Sequence, residues 1–400
     1  MFSSYISKSI HWLLLLLSLS LNVISFDLYL PAMPIIAEEL HASHFLLKLI
    51  FIINFIEFSI APLLLGIFLD IKGRKAAIFL SLGLSTVGQI LSSWCSNTYS
   101  LMFFRIIQYL GAGALSSIIL TLICDNFEGE KRDRAIATFE IALPVSLVLG
   151  PPLGAVFLEQ LGWRKTFLFI GWVQAFCFLA ILFNLPEMPK KKTNIVFKDT
   201  LREALNIFKN PLSVRIILIL GCTEGPWMIF NISAAFFYIQ VFDLSLSAYA
   251  YYQMIPIASF LLGATGYSMA LKKINTFKLF GLGITGYVFC GGLGILLLIW
   301  QIIMPTPLNL CITISVINFF YGVISPSGNS IVLNQANKAL LGTSAAIITA
   351  VINFIVGMSM LWGSYVIQAE LSLAFFYSLL FFIVLNGFLW FSLAVHSHSQ

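Results

Sequence analysis

The sequence predicts an all-α membrane protein: twelve transmembrane helices in two six-helix bundles, with both termini in the cytoplasm. Three observations carry that prediction. The 400 residues are 59% hydrophobic and only 10% charged, with a mean hydropathy of +0.96, whereas soluble domains carry roughly 25% charged residues. The apolar residues gather into runs of about twenty, the length that crosses a bilayer core as a helix. Finally, 18 of the 22 Lys and Arg fall in the terminal segment and the loops that alternate runs place on one side, and the positive-inside rule makes that side the cytoplasm.

The runs lie at approximately 12–34, 45–69, 76–96, 99–122, 135–158, 166–185, 214–240, 247–270, 279–303, 307–333, 342–366 and 372–395. Only a helix satisfies its own backbone over such a length in lipid. The first run follows a basic Lys8, yet it is long, carries Asp27 and two prolines, and offers no small-x-small cleavage site. It therefore reads as a retained span and not a cleaved signal. The longest polar stretch in the middle, Pro186 to Arg215 with a Lys triplet, separates six spans from six. That gives bundles over 1–189 and 214–400 joined by a cytoplasmic linker over 190–213. Inside the linker, Phe197 to Lys209 mixes charges with Leu201, Leu205, Ile207 and Phe208, the pattern of a short helix on the inner surface. Two equal apolar halves with a basic linker are the footprint of a carrier whose site lies between halves near the midplane.

Several classes are excluded. The six cysteines are scattered with no C-x-x-C, so neither a disulfide framework nor a metal site is expected. The five histidines sit at the edges of spans, and no H-E-x-x-H, G-x-S-x-G or G-x-x-x-x-G-K-[ST] occurs. An enzyme and a nucleotide-driven pump are therefore disfavoured. The net charge of +5 is the orientation bias, with no room for a nucleic-acid partner.

The polar residues inside the spans are the informative ones. Asp27 places a carboxylate within hydrocarbon, at about 2.5–3.5 kcal/mol on the insertion scale. Ser18, Asn22, Ser25 and Tyr29 make a stripe at helical spacing, with Ser20 and Asp27 opposite, so span one is expected to be wrapped by protein or cavity. Span two sets Asn54, Glu57 and Ala61 on one face. Span four offers Arg105, Gln108, Tyr109, Ala112 and Ser116; its arginine either pairs with a carboxylate or snorkels to water. Span seven carries Glu224, Trp227, Met228, Asn231 and Tyr238 beside Gly225-Pro226, an acid at a helix break next to an aromatic–Met face. Such a face suits an amphipathic or cationic ligand. Asn318, Tyr321 and Ser325 in span ten and Asn353 in span eleven are further cavity candidates. Each also has a plainer reading, as helix packing or an interhelical hydrogen bond.

Six segments carry a family resemblance. Gly66-Ile67-Phe68-Leu69-Asp70-Ile71-Lys72-Gly73-Arg74-Lys75 resembles the loop signature of major facilitator transporters. The resemblance implies a conformational latch of Gly66, Asp70, Gly73 and Arg74, with Asp125 as the partner expected for Arg74. Arg105-Ile106-Ile107-Gln108 followed by Gly111-Ala112-Gly113-Ala114 resembles that family's span-four motif, with Tyr109 departing from a small residue. Gly150-Pro151-Pro152-Leu153-Gly154 resembles its antiporter motif (Gly150, Pro151 and Gly154), and Gly162-Trp163-Arg164 follows as in relatives. Asp27-Leu28-Tyr29-Leu30-Pro31-Ala32-Met33-Pro34, with Asn386-Gly387-Phe388-Leu389-Trp390, is similar to the Bcr/CflA (MdfA-like) drug/proton antiporters. Some relatives carry a second acid eight positions before the span-one aspartate; here Leu19 stands there, and Glu57 is the expected replacement.

The resemblance implies a proton-coupled secondary active exporter of small amphipathic compounds such as drugs, working by alternating access. Its proton-coupling residues are then Asp27, Glu57 and Arg105. Its cavity residues are Asn22, Tyr29, Asn54, Glu224, Trp227, Asn231, Tyr238, Asn318, Tyr321 and Asn353. No cofactor beyond the coupling proton and no metal is expected. The expected partners are a small-molecule cargo and the lipid bilayer, and the expected form is a monomer in a bacterial cytoplasmic (inner) membrane. The alternatives are a dedicated exporter of an endogenous metabolite or siderophore, a proton-coupled importer, and a non-transporting sensor or scaffold.

Overall fold

A computed structural model describes residues 2–126, 129–184, 197–335, 341–366 and 373–397. All regular elements among the described residues are helical. The chain divides into two compact units, Met1–Asn194 and Ile195–Gln400.

The first unit holds α1 (Phe2–Glu39), α2 (His44–Lys72), α3 (Arg74–Ser93), α4 (Thr98–Asn126) and α5 (Gly129–Asn184). The last of these is two spans run together, broken at Gly162, whose φ of 72° is open to glycine at no steric cost. α1 packs mainly on α5, α4 on α2 and α3, and α3 also on α5. The α3–α4 contact is close because glycines face backbone there. A Cβ on Gly88 would collide with the Gln108 backbone, and one on Gly111 with the Ser81 carbonyl. Ser81 Oγ donates to the Gly111 carbonyl at 2.6 Å across the same seam. Small residues bring helices together where lipid supplies no hydrophobic drive.

The second unit holds α6 (Phe197–Lys209), α7 (Pro211–Ala235), α8 (Leu246–Ala270), α9 (Thr276–Gly286), α10 (Gly292–Ile299), α11 (Pro307–Gln335), α12 (Leu341–Val366) and α13 (Leu373–Ser397). α6 is the linker helix, found over the residues that the sequence assigned to it. Residues 185–196, which include the Lys triplet, lie outside the described residues. Helix starts follow local chemistry: Asn210, Ser245 and Asn275 each accept backbone N–H bonds at the first turns of α7, α8 and α9. Two five-residue-hydrogen-bonded stretches interrupt the pattern. Phe236–Val241 prolongs α7, and Tyr287–Gly291 joins α9 to α10. α7 packs on α12, α13 and α11, and α8 on α11.

By length and composition, nine segments among the described residues can cross a membrane. One of them, Val148–Phe183, contains two spans. With α4 and α8, of 29 and 25 residues, the twelve predicted spans are all present as helices. Outward-facing side chains are large and apolar, for instance Phe183, Phe289, Phe176 and Phe391 at 80%, 74%, 68% and 67% exposure. Such a surface is stable only against hydrocarbon.

Candidate functional site

In the first unit the buried polar groups form one connected core and two isolated acids. Span one delivers Ser25, Asn22 and Tyr29 into the bundle, all buried, as its polar stripe required. Ser25 Oγ donates to Gln89 Oε1 at 2.6 Å, and Gln108 Nε2 donates to the same oxygen at 2.6 Å. Gln89 Nε2 donates to the Phe167 carbonyl at 3.0 Å. One glutamine thereby ties α1, α3, α4 and α5 together.

Arg105 sits on this core and is fully buried. Its Nη1 donates to Gln108 Oε1 at 3.0 Å, Tyr109 Oη at 3.2 Å and Ser25 Oγ at 3.4 Å. Its guanidinium carbon lies 4.2 Å from the Phe167 ring centroid and 5.0 Å from that of Tyr29. Nε and Nη2 have no hydrogen-bond partner. Both expectations for this arginine are therefore corrected. With no exposed surface it does not snorkel, and among the described residues no carboxylate pairs with it. Amide dipoles and ring faces hold it instead. Tyr109, the departure from the family's small residue, supplies one of those acceptors and also packs against Phe26 and Phe58.

Asp27 lies apart from that hydrogen-bonded core. Its Oδ2 is buried with no hydrogen-bond partner. It abuts Gly150 of α5, where an added Cβ would come within 3.2 Å of Oδ2. One turn on, Gly154 lies against Leu28 in the same way, at 3.3 Å from Cγ. The antiporter-like Gly-Pro-Pro-x-Gly segment is thus the surface that receives the aspartate. Pro31, four residues after Asp27, removes the N–H that would bond the Asp27 carbonyl. Pro151, itself buried, and Pro152 do the same to the carbonyls of Leu147 and Val148, so the helices are softened on both sides of the acid.

Glu57 is buried with Oε2 unpartnered, and both amide atoms of Asn54, one turn earlier, are buried and unpartnered. Asn22 Nδ2 donates to the Ser18 carbonyl at 2.9 Å, and its Oδ1 accepts from Gln174 at 3.2 Å. Tyr29 donates to the Leu47 carbonyl at 3.2 Å. Leu19, where relatives carry a second acid, is 3% exposed among Ala61, Leu82, Leu115 and Ile118. That cluster has no place for a charge. Lys48 is buried as well. The side chains of Asp70, Arg74 and Asp125 and the surroundings of Gly66 lie outside the described residues. Gly73, at φ 94°, makes the turn between α2 and α3.

The Gly162-Trp163-Arg164 segment forms a clamp at the end of the first unit. Arg164 pairs with Glu39 at 2.7 Å, Trp163 Nε1 donates to Glu39 at 2.5 Å, and Arg164 Nη1 donates to the Cys95 and Ser93 carbonyls at 2.6 and 3.1 Å. The end of α1 and the end of α3 are thereby tied to the corner of α5.

In the second unit Glu224 is partly exposed, and the hydroxyl of Tyr321 on α11 lies beside its carboxyl group, with Ser325 next to Tyr321 in turn. Sequence had placed these residues on separate spans, and the structure brings them together. Tyr287 Oη donates to the Thr223 carbonyl at 3.1 Å, beside the acid. Asn318, one turn before Tyr321, donates to the Pro256 carbonyl at 3.3 Å, while its Oδ1 is buried without a partner. Trp227 stays on the α7 face one turn after Glu224, 5.9 Å from Phe230. Asn231 accepts from Gln253 at 2.8 Å. Tyr238 lies 6.2 Å from Phe230 and 6.1 Å from Tyr249, stacks on Tyr252 at 5.1 Å and donates to the Pro307 carbonyl at 3.3 Å. Asn353 is partly exposed on α12.

Gln89, Gln174 and Tyr287 were not among the residues singled out from sequence. The first had a signal: Ser81, Ser85, Gln89 and Ser92 recur at helical spacing along span three, and all are buried. Tyr287 had none, because the wide helical turn that aims it leaves no mark in the sequence. Among the described residues no cluster of His, Cys, Asp or Glu could hold a metal ion.

A helical carrier of two bundles with acids inside the spans of each is the class that this arrangement defines. The family model described as Major Facilitator Superfamily matches residues 15–361, and the chain belongs to that superfamily. It is a multi-pass membrane transporter and not an enzyme. An uncharacterized transporter of Rickettsia bellii (strain RML369-C) is 26% identical over 302 residues, 74% of each chain. Citrate exporter 1 of Aspergillus niger is 29% identical over 164 residues, 41% of this chain and 31% of that one. A probable drug/proton antiporter, YHK8 of Saccharomyces cerevisiae, is 26% identical over 189 residues, 47% and 36% of the two chains. The chain thus spans about three quarters of the Rickettsia relative and about a third of the other two. Among solved structures, a mutant of the nucleoside transporter NupG is similar with a TM-score of 0.74 over 96% of this chain and 99% of that one, at 14% identity. That likeness concerns the fold.

Proposed function

We propose that the chain is a proton-coupled exporter of small amphipathic compounds, an antiporter of the Bcr/CflA type, acting as a monomer in a bacterial cytoplasmic membrane. The observation that carries the reading is Asp27: a carboxyl oxygen buried inside a span, met by no donor and no cation, and pressed against the glycine of the antiporter-like segment. A group so placed exchanges a proton without breaking a partner bond, which is what a coupling site must do as the carrier cycles. Glu57, also unpartnered, serves as the second acid of that half, in place of the one absent at Leu19. Asp70 and Arg74 with Asp125 form the latch that biases one conformation. The names of the yeast relative and the Bacillus subtilis Multidrug resistance protein 3, 36% identical over 98 residues, support drug export. For a neutral cargo exchanged for one proton, one charge moving down about 150 mV yields about 3.5 kcal/mol, enough to oppose a concentration ratio of roughly 300-fold; a monocation needs two protons for the same net charge.

The Aspergillus relative's name raises a second reading, export of an organic acid. It fits less well, because the acids at 27, 57 and 224 would repel an anion and outnumber the buried cations, Arg105 and Lys48, among the described polar groups of the spans.

The test is proton release from purified protein in weakly buffered detergent when cargo is added. Asp27→Asn keeps the shape and fixes a neutral state, so cargo still binds, proton release is lost, active export fails and downhill cargo-for-cargo exchange persists. Parent-like proton release from Asp27→Asn refutes the assignment and moves coupling to Glu57 or Glu224.

A further inference from the structure

We infer that Glu224, Tyr321 and Asn318 form a charge-selecting subsite for an organic ammonium that carries at least one N–H. The inference rests on the transport reading and adds to it the chemistry of the cargo's polar end. Asp27 and Glu57 lie in the first unit with buried oxygens that no donor meets. Glu224 differs in its neighbour: its carboxyl group lies beside the Tyr321 hydroxyl, and among the described residues no Lys, Arg or His pairs with it. Like Asp27 it retains some exposed surface. As at Asp27 a proline is close by, Pro226, which removes the N–H that would bond the Cys222 carbonyl.

The neighbourhood holds acceptors in excess of donors. Asn318 is 1% exposed, spends its amide N–H on the Pro256 carbonyl, and leaves Oδ1 buried with nothing to accept from. It lies three residues before Tyr321 on α11 and so on the same helix face. A carboxylate and an amide oxygen facing no cation lack a charged donor, and a protonated amine supplies both the charge and the hydrogen. Leaving such acceptors unpaired is costly, so a site of this kind selects strongly for the ligand that satisfies them. Aromatic walls are at hand for the apolar body: Phe260 lies 5.0 Å from the Tyr321 ring, and Trp227 is one turn from Glu224. Tyr287, bonded to the Thr223 carbonyl, and Gly225, where a Cβ would come 3.0 Å from Ser359 Oγ, fix α7 in place around the acid.

Equilibrium binding to the full-length protein in detergent, with no gradient, tests this with three probes at neutral pH. They are propranolol (a protonated secondary amine), tetraphenylphosphonium (a cation without N–H) and triphenylphosphine oxide (neutral). Glu224→Gln is expected to weaken propranolol tenfold or more, tetraphenylphosphonium about threefold, and triphenylphosphine oxide by less than twofold. Tyr321→Phe, which removes one hydroxyl, is expected to weaken propranolol by three- to tenfold and to keep the same order. It carries the test by itself if Glu224→Gln does not insert. Equal losses for all three probes, an undiminished affinity for the amine, or no binding of the amine to the parent overturns the subsite. Amine binding to the parent with the expected order of losses, but with no proton released by any probe, overturns the exporter reading and leaves the subsite standing, so the two fail separately.

Discussion

Gly150 and Gly154 lie one turn apart on α5, both face α1, and both are closely approached, but by different residues. A Cβ on Gly150 would stand 3.2 Å from Asp27 Oδ2 and 3.3 Å from Asp27 Cβ; one on Gly154 would stand 3.3 Å from Leu28 Cγ and 3.5 Å from Cδ1. Comfortable carbon contacts begin nearer ~3.5 Å, so each alanine forces its neighbour back by a few tenths of an ångström. Overpacking of that size costs about 1–3 kcal/mol. The two substitutions should therefore lower thermal stability alike, by a few degrees each, since about 1 kcal/mol moves the midpoint of a 150–250-residue unit by 2–4 °C. Their effects on coupling should part. Gly150→Ala displaces the acid and is expected to cut cargo-driven proton release at least fivefold, whereas Gly154→Ala displaces a leucine and should leave release within twofold of the parent. Purified variants, matched for thermal midpoint and measured in weak buffer, make the comparison. Equal coupling losses in both, or parent-like coupling in Gly150→Ala, would refute the idea that this segment serves Asp27 and reduce it to a helix contact.

Two further substitutions examine the frame. Gln89→Leu strips the acceptor shared by Ser25 and Gln108 and should destabilise by about 2–3 kcal/mol, because unpaired buried donors bear their full desolvation cost; Gln89→Glu keeps that acceptor but sets an oxygen against the Phe167 carbonyl, so it should recover only part of the thermal stability and slow transport by giving Arg105 a charged neighbour. Arg164→Ala opens the clamp on Glu39, Ser93 and Cys95 and should cost about 1–2 kcal/mol. The half-exposed ion pair itself contributes at most about 1 kcal/mol of that, so added salt should shift the parent's midpoint little.

The fold was legible because lipid leaves so few solutions. Runs of about twenty apolar residues must be helices, and even the surface helix Phe197–Lys209 was evident from its mixed face. The stripe in span one was legible for the same reason: a polar residue repeated at helical spacing in hydrocarbon has to face protein. What sequence could not supply was the partner. Glu224 and Tyr321 lie 97 positions apart, and no periodicity within one span says which neighbouring helix it meets. Arg105 misled for a related reason. From sequence, a buried arginine calls for a carboxylate, yet here the amides of neighbouring helices and the rings of Phe167 and Tyr29 together do that work.

The first unit holds a buried cation and a buried acid and does not join them. Arg105 and Asp27 could satisfy each other, and at 4 Å with an effective dielectric of 20 their attraction would be about 4 kcal/mol. That is comparable to the roughly 3.5 kcal/mol that one charge gains in crossing 150 mV. A permanent pair would therefore hold the aspartate charged through the cycle and offset the drive that coupling depends on. Holding Arg105 through Ser25, Gln108, Tyr109 and ring faces keeps the cation stable without spending the acid on it. Gly150 in turn offers Asp27 a surface with no donor, so the proton has no protein group to compete with. The separation of the two charges, more than the presence of either, is what makes this half suited to exchange a proton.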